Sequence, residues 1–218
     1  MRTRSQPRLI LASASPRREE ILRHAGFRFE TRPAEVDESP RNGEGPAKHV
    51  ARLAREKVLA CAENISGPAI LIGADTVVVA YRRILGKPSS PRDASRMLGL
   101  LSGRTHTVLT GIAVLHLPAR RRTRRLQSVV ECTRVTFASL SAHEIAAYVA
   151  SGEPMGKAGA YAIQGRAGKF VTRIEGCYFN VVGLPLARLY RMMRRAGLEQ
   201  SVLKNKRRPK PSGRRKNL

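Results

Sequence analysis

Leu9-Ile10-Leu11-Ala12-Ser13-Ala14-Ser15-Pro16-Arg17-Arg18 carries the chain from a short apolar strand through a turn into a helix. Four apolar residues in a row fit a buried strand, and the small polar residues after them do not extend it. Ser15 suits the position just before a helix and Pro16 its first turn, where the missing N–H costs nothing. Ile21, Leu22 and Ala25 then recur at helical spacing until Gly26 ends the run. Arg17 and Arg18 are out of place here, because cations in a first turn oppose the positive end of the helix dipole by about 0.3–1 kcal/mol each. An anionic ligand offsets that cost: backbone N–H groups, serine hydroxyls and guanidinium forks at a helix N-terminus together form a phosphate site. Ser15, Arg17 and Arg18 are therefore candidate phosphate ligands, the alternative being arginines that simply face water.

Further along, Phe27 to Thr31 is strand-like, and Pro46 to Glu63 places Val50, Ala54, Val58 and Cys61 at helical spacing. Ala69 to Ala80 is an apolar, β-branched strand interrupted by Asp75. Ser90-Pro91 with Asp93 opens a third helix that carries Ala94, Met97, Leu98 and Leu101 as far as Gly103. Strands are expected at His106 to Leu117 and Leu126 to Phe137. Ser141 with Glu144 is a capping-box signature for a helix through Ala150 that Gly152 ends. Lys169 to Glu175 and Tyr178 to Val182 suggest two closing strands, and Leu184 to Ala196 a final amphipathic helix. Helices mixed with single and hairpin-linked strands predict an α/β fold with a mixed central sheet flanked by helices, and no repeat period is present.

The formal net charge is +25, and part of it is concentrated. Lysines and arginines crowd residues 204–218 beside Pro209, Pro211 and Gly213, a composition that buries too little apolar surface to order the chain. A folded domain over residues 1–203 and a disordered basic tail over 204–218 are the expectation. Arg120, Arg121, Arg122, Arg124 and Arg125 repel one another and fit an exposed hairpin loop. Base-reading motifs and interleaved aromatics are missing, so the clusters read as solvated charge that binds polyanions non-specifically at low salt, without a specific nucleic-acid partner. Three cysteines, Cys61, Cys132 and Cys177, form no CxxC pair, which argues against disulfides and structural zinc and fits a reducing cytoplasm. The N-terminal Arg2, Arg4 and Arg8 imitate a secretory signal, but the apolar core that follows is too short, and no stretch is long enough to span a membrane. The sequence leaves a homodimer open.

Two further residues stand out against their surroundings. Lys57 lies on or beside the apolar stripe of its helix, where it either snorkels to water or holds an ammonium over a cleft. Asp75 interrupts an apolar strand, and a carboxylate there is expensive to bury unless it is paired or binds a metal. Asp37-Glu38 and Lys87-Pro88 add acids and a base at element ends, although spacing alone does not join these places into one site. Gly165-Arg166-Ala167-Gly168-Lys169-Phe170 lacks the P-loop spacing and its Ser/Thr, and the five histidines show no HExxH or HxH pairing.

Taken in order, Leu11 to Arg18, Gly73-Ala74-Asp75-Thr76-Val77-Val78 and Gly86-Lys87-Pro88 resemble the motifs of the Maf proteins. Lys157-Ala158-Gly159-Ala160-Tyr161-Ala162-Ile163-Gln164-Gly165 and Gly176 to Leu186 resemble its two later signatures, at family-like spacing. The resemblance implies two lobes around a cleft, similar to the inosine triphosphate pyrophosphatase fold. It also implies divalent-metal-dependent hydrolysis of a nucleoside triphosphate, dTTP or UTP or a modified pyrimidine nucleotide, to the monophosphate and pyrophosphate. On that resemblance Arg17, Arg18, Lys57 and Lys87 neutralise the triphosphate, and Glu38 and Asp75 face a Mg²⁺ or Mn²⁺ ion. Asp75 matches the family's proton acceptor, and Arg17, Thr76 and Gln164 match its specificity positions. In the branch that acts on 7-methyl-GTP a glutamate corresponds to Gln164. Two departures stand out: Tyr81-Arg82-Arg83 replaces a turn usually rich in Gly, Asn or Asp, and Gly156 replaces an Asp before Lys157.

Overall fold

β1 (Arg8–Leu11) lies between two parallel neighbours, β2 (Glu30–Thr31) and β3 (Ala69–Ala80). The structure, a computed structural model, describes residues 7–118 and 123–196. Arg120, Arg121 and Arg122 of the arginine run, the expected boundary at residue 203 and the basic tail lie outside the described residues. β3 continues the sheet with β5 (Thr105–Leu117), β6 (Arg125–Phe137) and β7 (Val171–Glu175), each antiparallel to the one before. β4 (Arg83–Leu85) pairs with the far end of β3, which makes a seven-stranded mixed sheet.

Helices cover both faces. α1 (Pro16–His24) and α6 (Leu186–Arg195) pack on one side, where Leu9, Leu11, Leu22, Ile70, Ile72 and Leu189 form one core. α2 (Pro46–Glu63) covers the other, burying Ala54 and Val58 against Ile10, Leu71, Ala113 and Leu115. A third core surrounds α3 (Pro91–Leu101) and α4 (Ala142–Ala150), around Leu98, Leu101, Phe137 and Phe170, and forms the second lobe. The expected capping box is present: Ser141 accepts from the Glu144 amide and Glu144 reaches back to the Ser141 amide.

Two glycines set how closely α2 lies on the sheet. A Cβ at Gly73 would strike the Ala54 carbonyl and Val58 Cγ1, and one at Gly111 would strike the backbone of Val50 and Ala51. Helix backbone therefore rests directly on strand backbone. The turn between β3 and β4 bears on the first departure noted in the sequence. Tyr81 (φ 50°) and Arg82 (φ 62°) both adopt left-handed conformations, as a two-residue hairpin requires, without glycine or asparagine. The Arg104 guanidinium lies 5.4 Å from the centre of the Tyr81 ring and helps offset that strain.

The expectation of two closing strands is half met. β7 forms from Val171, its predicted first two residues lying in a 3₁₀ turn over Arg166–Phe170. Tyr178–Val182, with strand-like composition, is instead a short helix, α5. Tertiary hydrogen bonds override propensity there: the buried Asn180 side chain donates to the Val108 carbonyl and to Thr133 Oγ1, both at 3.0 Å. Other boundaries shift by a residue or two, and the strand read from Phe27 shortens to Glu30–Thr31. Cys61, Cys132 and Cys177 are free thiols, and no helix among the described residues is long and apolar enough to cross a membrane.

Candidate active site

The site begins as a gap in the sheet. β1 ends at Leu11, opposite Ile72, and β4 rejoins β3 only at Val78, so Gly73 to Val77 have no strand on that edge. A cleft of about 700 Å³ opens there. Ser15, Arg17, Arg18, Glu38, Lys57, Asp75, Thr76, Lys87 and Gln164 all line it, so residues spread over the chain meet in one place.

Asp75 and Gly111 lie opposite each other in the β3–β5 ladder and share the face that α2 covers. The close approach of α2 brings Lys57 to Asp75, Nζ to Oδ1 2.8 Å, and the same ammonium reaches Glu38 Oε1 at 2.7 Å. Lys57 is 7 % exposed, so its ammonium is held over the cleft rather than snorkelled to water. Lys87 Nζ lies 3.6 Å from the other Glu38 oxygen. Partial burial raises the Glu38 carboxyl, but its hydrogen bond to Lys57 and the charges of Lys57 and Lys87 outweigh this and hold its pKa below the usual value. Asp37, the adjacent acid, turns away and accepts from the Ser39 amide at 2.9 Å.

On the opposite face Arg18 is buried. Its guanidinium donates to the Gly183 carbonyl (2.9 Å), Ser13 Oγ (2.9 Å), the Ala74 carbonyl (2.8 Å) and Thr76 Oγ1 (3.1 Å). The Ala12 amide takes the Ile72 carbonyl, so a longer β1 would have taken that of Ala74; Arg18 substitutes for the missing strand. Four of the five guanidinium N–H groups are engaged by the protein, which leaves one to face a phosphate. Arg17 differs. It is partly buried at the start of α1, and that burial lowers its pKa with no carboxylate to counter the effect. Ser15 occupies the residue before α1, but its hydroxyl makes no capping bond.

Thr76 is held by more than Arg18. Its Oγ1 lies 2.9 Å from Thr110 Oγ1, and Thr110 donates to the Asn180 carbonyl at 3.1 Å. Gln164 is exposed on the opposite wall, in the turn after Tyr161. The arrangement presents a helix N-terminus, cations at Arg17 and Lys87, and two carboxylates bridged by a buried ammonium. Such a set neutralises a polyphosphate and places a base beside it.

Residues 8–196 match the family described as Maf-like protein. The chain belongs to this family. Among Maf relatives, the dTTP/UTP pyrophosphatase of Pelotomaculum thermopropionicum is 51% identical over 189 residues, covering 87% of this chain and 96% of its own. That of Koribacter versatilis is 52% identical over 191 residues, covering 87% and 95%. A dITP/XTP pyrophosphatase from Mycobacterium abscessus aligns in structure over 61% of this chain and 75% of its own, at 14% identity and a TM-score of 0.33, too low to carry an argument.

Sequence pattern missed some of the residues that build this Maf site. Thr110 and Asn180 support Thr76 from behind, and each interrupts an apolar run as Asp75 does, which was the available signal. Ser13 holds Arg18 and also accepts from the Ser15 amide at 3.3 Å.

Proposed function

We propose that this chain hydrolyses dTTP and UTP between the α- and β-phosphates, releasing the monophosphate and pyrophosphate; modified pyrimidine nucleotides fall in the same class. The observation that carries the reading is the Lys57 ammonium held between Glu38 and Asp75, at a cleft edged by the N-terminus of α1. The names of relatives at about half identity point to the same reaction.

Lys57 takes Glu38 Oε1 and Asp75 Oδ1, which leaves each carboxylate a second oxygen, the kind of donor a hard divalent ion takes. Among the described residues no group of three or more His, Cys, Asp or Glu side chains is placed to cage a metal, so substrate phosphates and water would complete the shell of an ion held by Glu38 and Asp75. Mg²⁺ or Mn²⁺ bound there would withdraw charge from the phosphates and acidify water. Arg17 and Lys87 bind the phosphate chain, with Ser15 and the free N–H of Arg18 at its edge. Lys57 gives two of its N–H groups to the carboxylates and its third to a phosphate oxygen. Asp75 takes a proton from the water that attacks the α-phosphorus, as the bond from that phosphorus to the bridging oxygen breaks and pyrophosphate leaves. The three free cysteines suit a cytoplasmic setting.

Product analysis tests this directly. With UTP or dTTP and Mg²⁺ or Mn²⁺ the first products are UMP or dTMP and pyrophosphate, and chelator abolishes turnover. Orthophosphate as the first product, or undiminished turnover in chelator, overturns the proposal.

Base choice falls to Gln164, whose carbonyl accepts and whose NH₂ donates, matching the N3–H and O4 of uracil or thymine. Gln164→Glu lowers kcat/KM for UTP and dTTP by about 10-fold or more, the scale of one lost hydrogen bond and a carboxylate facing a carbonyl. Equal losses on every nucleotide, or none on these two, make Gln164 structural.

A further inference from the structure

Gln164 makes its reading from a turn that is itself clamped from outside the cleft. The Gly165 amide donates to the Ala162 carbonyl at 3.0 Å, so Gln164 is the third residue of a tight turn, and a second turn follows at once, the Gly168 amide donating to the Gly165 carbonyl at 3.0 Å. Both ends of this segment return to one pair of side chains. The Arg166 amide donates to Glu153 Oε2 at 3.0 Å, and the Ala162 amide points at the Tyr148 hydroxyl at 3.4 Å. That hydroxyl donates to Glu153 Oε1 at 3.0 Å. Glu153 thus uses both carboxylate oxygens to tie the residue after Gly165 to the residue before Ile163.

Gly165 is the contact point. The Glu153 carboxylate occupies the space that a Cβ at position 165 would need, so the acid packs directly on the backbone next to Gln164. The carboxylate also faces the start of the 3₁₀ turn over Arg166–Phe170, where its charge is favourable. Tyr148 is buried and fixed in turn by Phe170, whose ring meets it edge-on at 5.5 Å. Burial, and then the hydrogen bond to the Glu153 carboxylate and its charge, push the Tyr148 hydroxyl up, so it stays a donor. Neither Glu153 nor Tyr148 lines the cleft, and neither has a part in the hydrolysis derived above.

We infer that Glu153, through Tyr148 and Gly165, is a positioning residue for base selection: it sets where the Gln164 amide stands without touching substrate. The inference rests on the reading that Gln164 faces the base. Glu153→Gln keeps size and shape but removes the charge: its NH₂ group opposes the Arg166 amide or, turned the other way, donates to the Tyr148 hydroxyl and leaves that hydroxyl's own proton without its acceptor. Tyr148→Phe keeps the ring packing and removes both hydroxyl bonds.

The experiment measures kcat and KM on UTP and CTP for the full chain, Glu153→Gln, Tyr148→Phe, Gln164→Ala and the double variant Glu153→Gln with Gln164→Ala. Cytosine, whose N3 accepts and whose N4 donates, reverses the pattern that Gln164 meets in uracil, so CTP is the poorer substrate, and expected for Glu153→Gln is a fall of about fivefold or more in that preference, from a higher KM for UTP with kcat within about twofold. In the double variant the preference falls no further than in Gln164→Ala alone, because both changes act on one amide. Parallel losses on UTP and CTP, a loss confined to kcat, or additive losses in the double variant overturn the inference. If Glu153→Gln does not fold, Tyr148→Phe carries the same test with the same outcomes. A preference unchanged in Gln164→Ala sinks the reading of Gln164 itself, whereas a collapse there beside an unchanged Glu153→Gln sinks only the clamp.

Discussion

Asp75→Asn lowers kcat on UTP and dTTP by at least about 100-fold while the chain folds as before. The amide is nearly isosteric with the carboxylate and keeps an oxygen for Lys57, which lies 2.8 Å away. It carries no full charge toward a metal and takes no proton from water, so the chemical step loses its base and part of its electrostatics. The fold survives because Lys57 keeps Glu38 as a charged partner at 2.7 Å, so its ammonium is not left buried and unpaired. Single-turnover measurement with saturating metal, beside a urea melt of both proteins, separates the two effects. Near-normal turnover removes Asp75 from the mechanism, and a large loss of stability assigns the ion pair to the fold instead.

Gly111→Ala destabilises the chain by about 3 kcal/mol, toward the upper end of overpacking costs. The added methyl meets the Val50 carbonyl and the Ala51 amide nitrogen, which are backbone and cannot rotate aside. α2 must lift from β5 or the strand must bend. Lys57 lies on the same helix about two turns beyond Val50, so the shift also loosens its approach to Asp75 and kcat falls with stability. Gly99→Ala in α3 provides the contrast: no atom lies within 4 Å of its missing Cβ, and the change is expected to stabilise by about 0.5–1 kcal/mol through helix propensity. Urea midpoints for the two variants check both signs. A Gly111→Ala protein as stable as the parent shows that the helix and sheet have room between them.

Much of the fold was legible because it depends on local pattern. α2 over Pro46–Glu63 and β3 over Ala69–Ala80 match the expected spans residue for residue, since strong periodicity and clear Gly and Pro boundaries coincide there. The capping box at Ser141 is likewise local, spanning four residues, Ser141 to Glu144. Asp75 and Lys57 were legible as anomalies, each a charge set against an apolar pattern. Tyr178–Val182 was misread because β-branched and aromatic residues favour a strand, and nothing nearby in the chain announces the hydrogen bonds of Asn180 to Val108 and Thr133.

Local pattern was enough for the order of helices and strands, apart from β4 and Tyr178–Val182, for the turn at Ser13–Arg18, and for which polar residues are out of place. Tertiary structure alone decided what those residues touch. It turned Arg18 inward to close a gap in the sheet, brought Lys57 to Glu38 while Asp37 turned to Ser39, and set Glu153 behind Gln164. Periodicity reports whether a residue is buried, but a hydrogen bond needs two groups within about 3 Å, and here the partners lie 18 residues apart for Lys57 and Asp75 and 165 for Arg18 and Gly183. For Lys57 the distance closes where the backbone of α2 packs on strand backbone at Gly73 and Gly111, which no local pattern encodes.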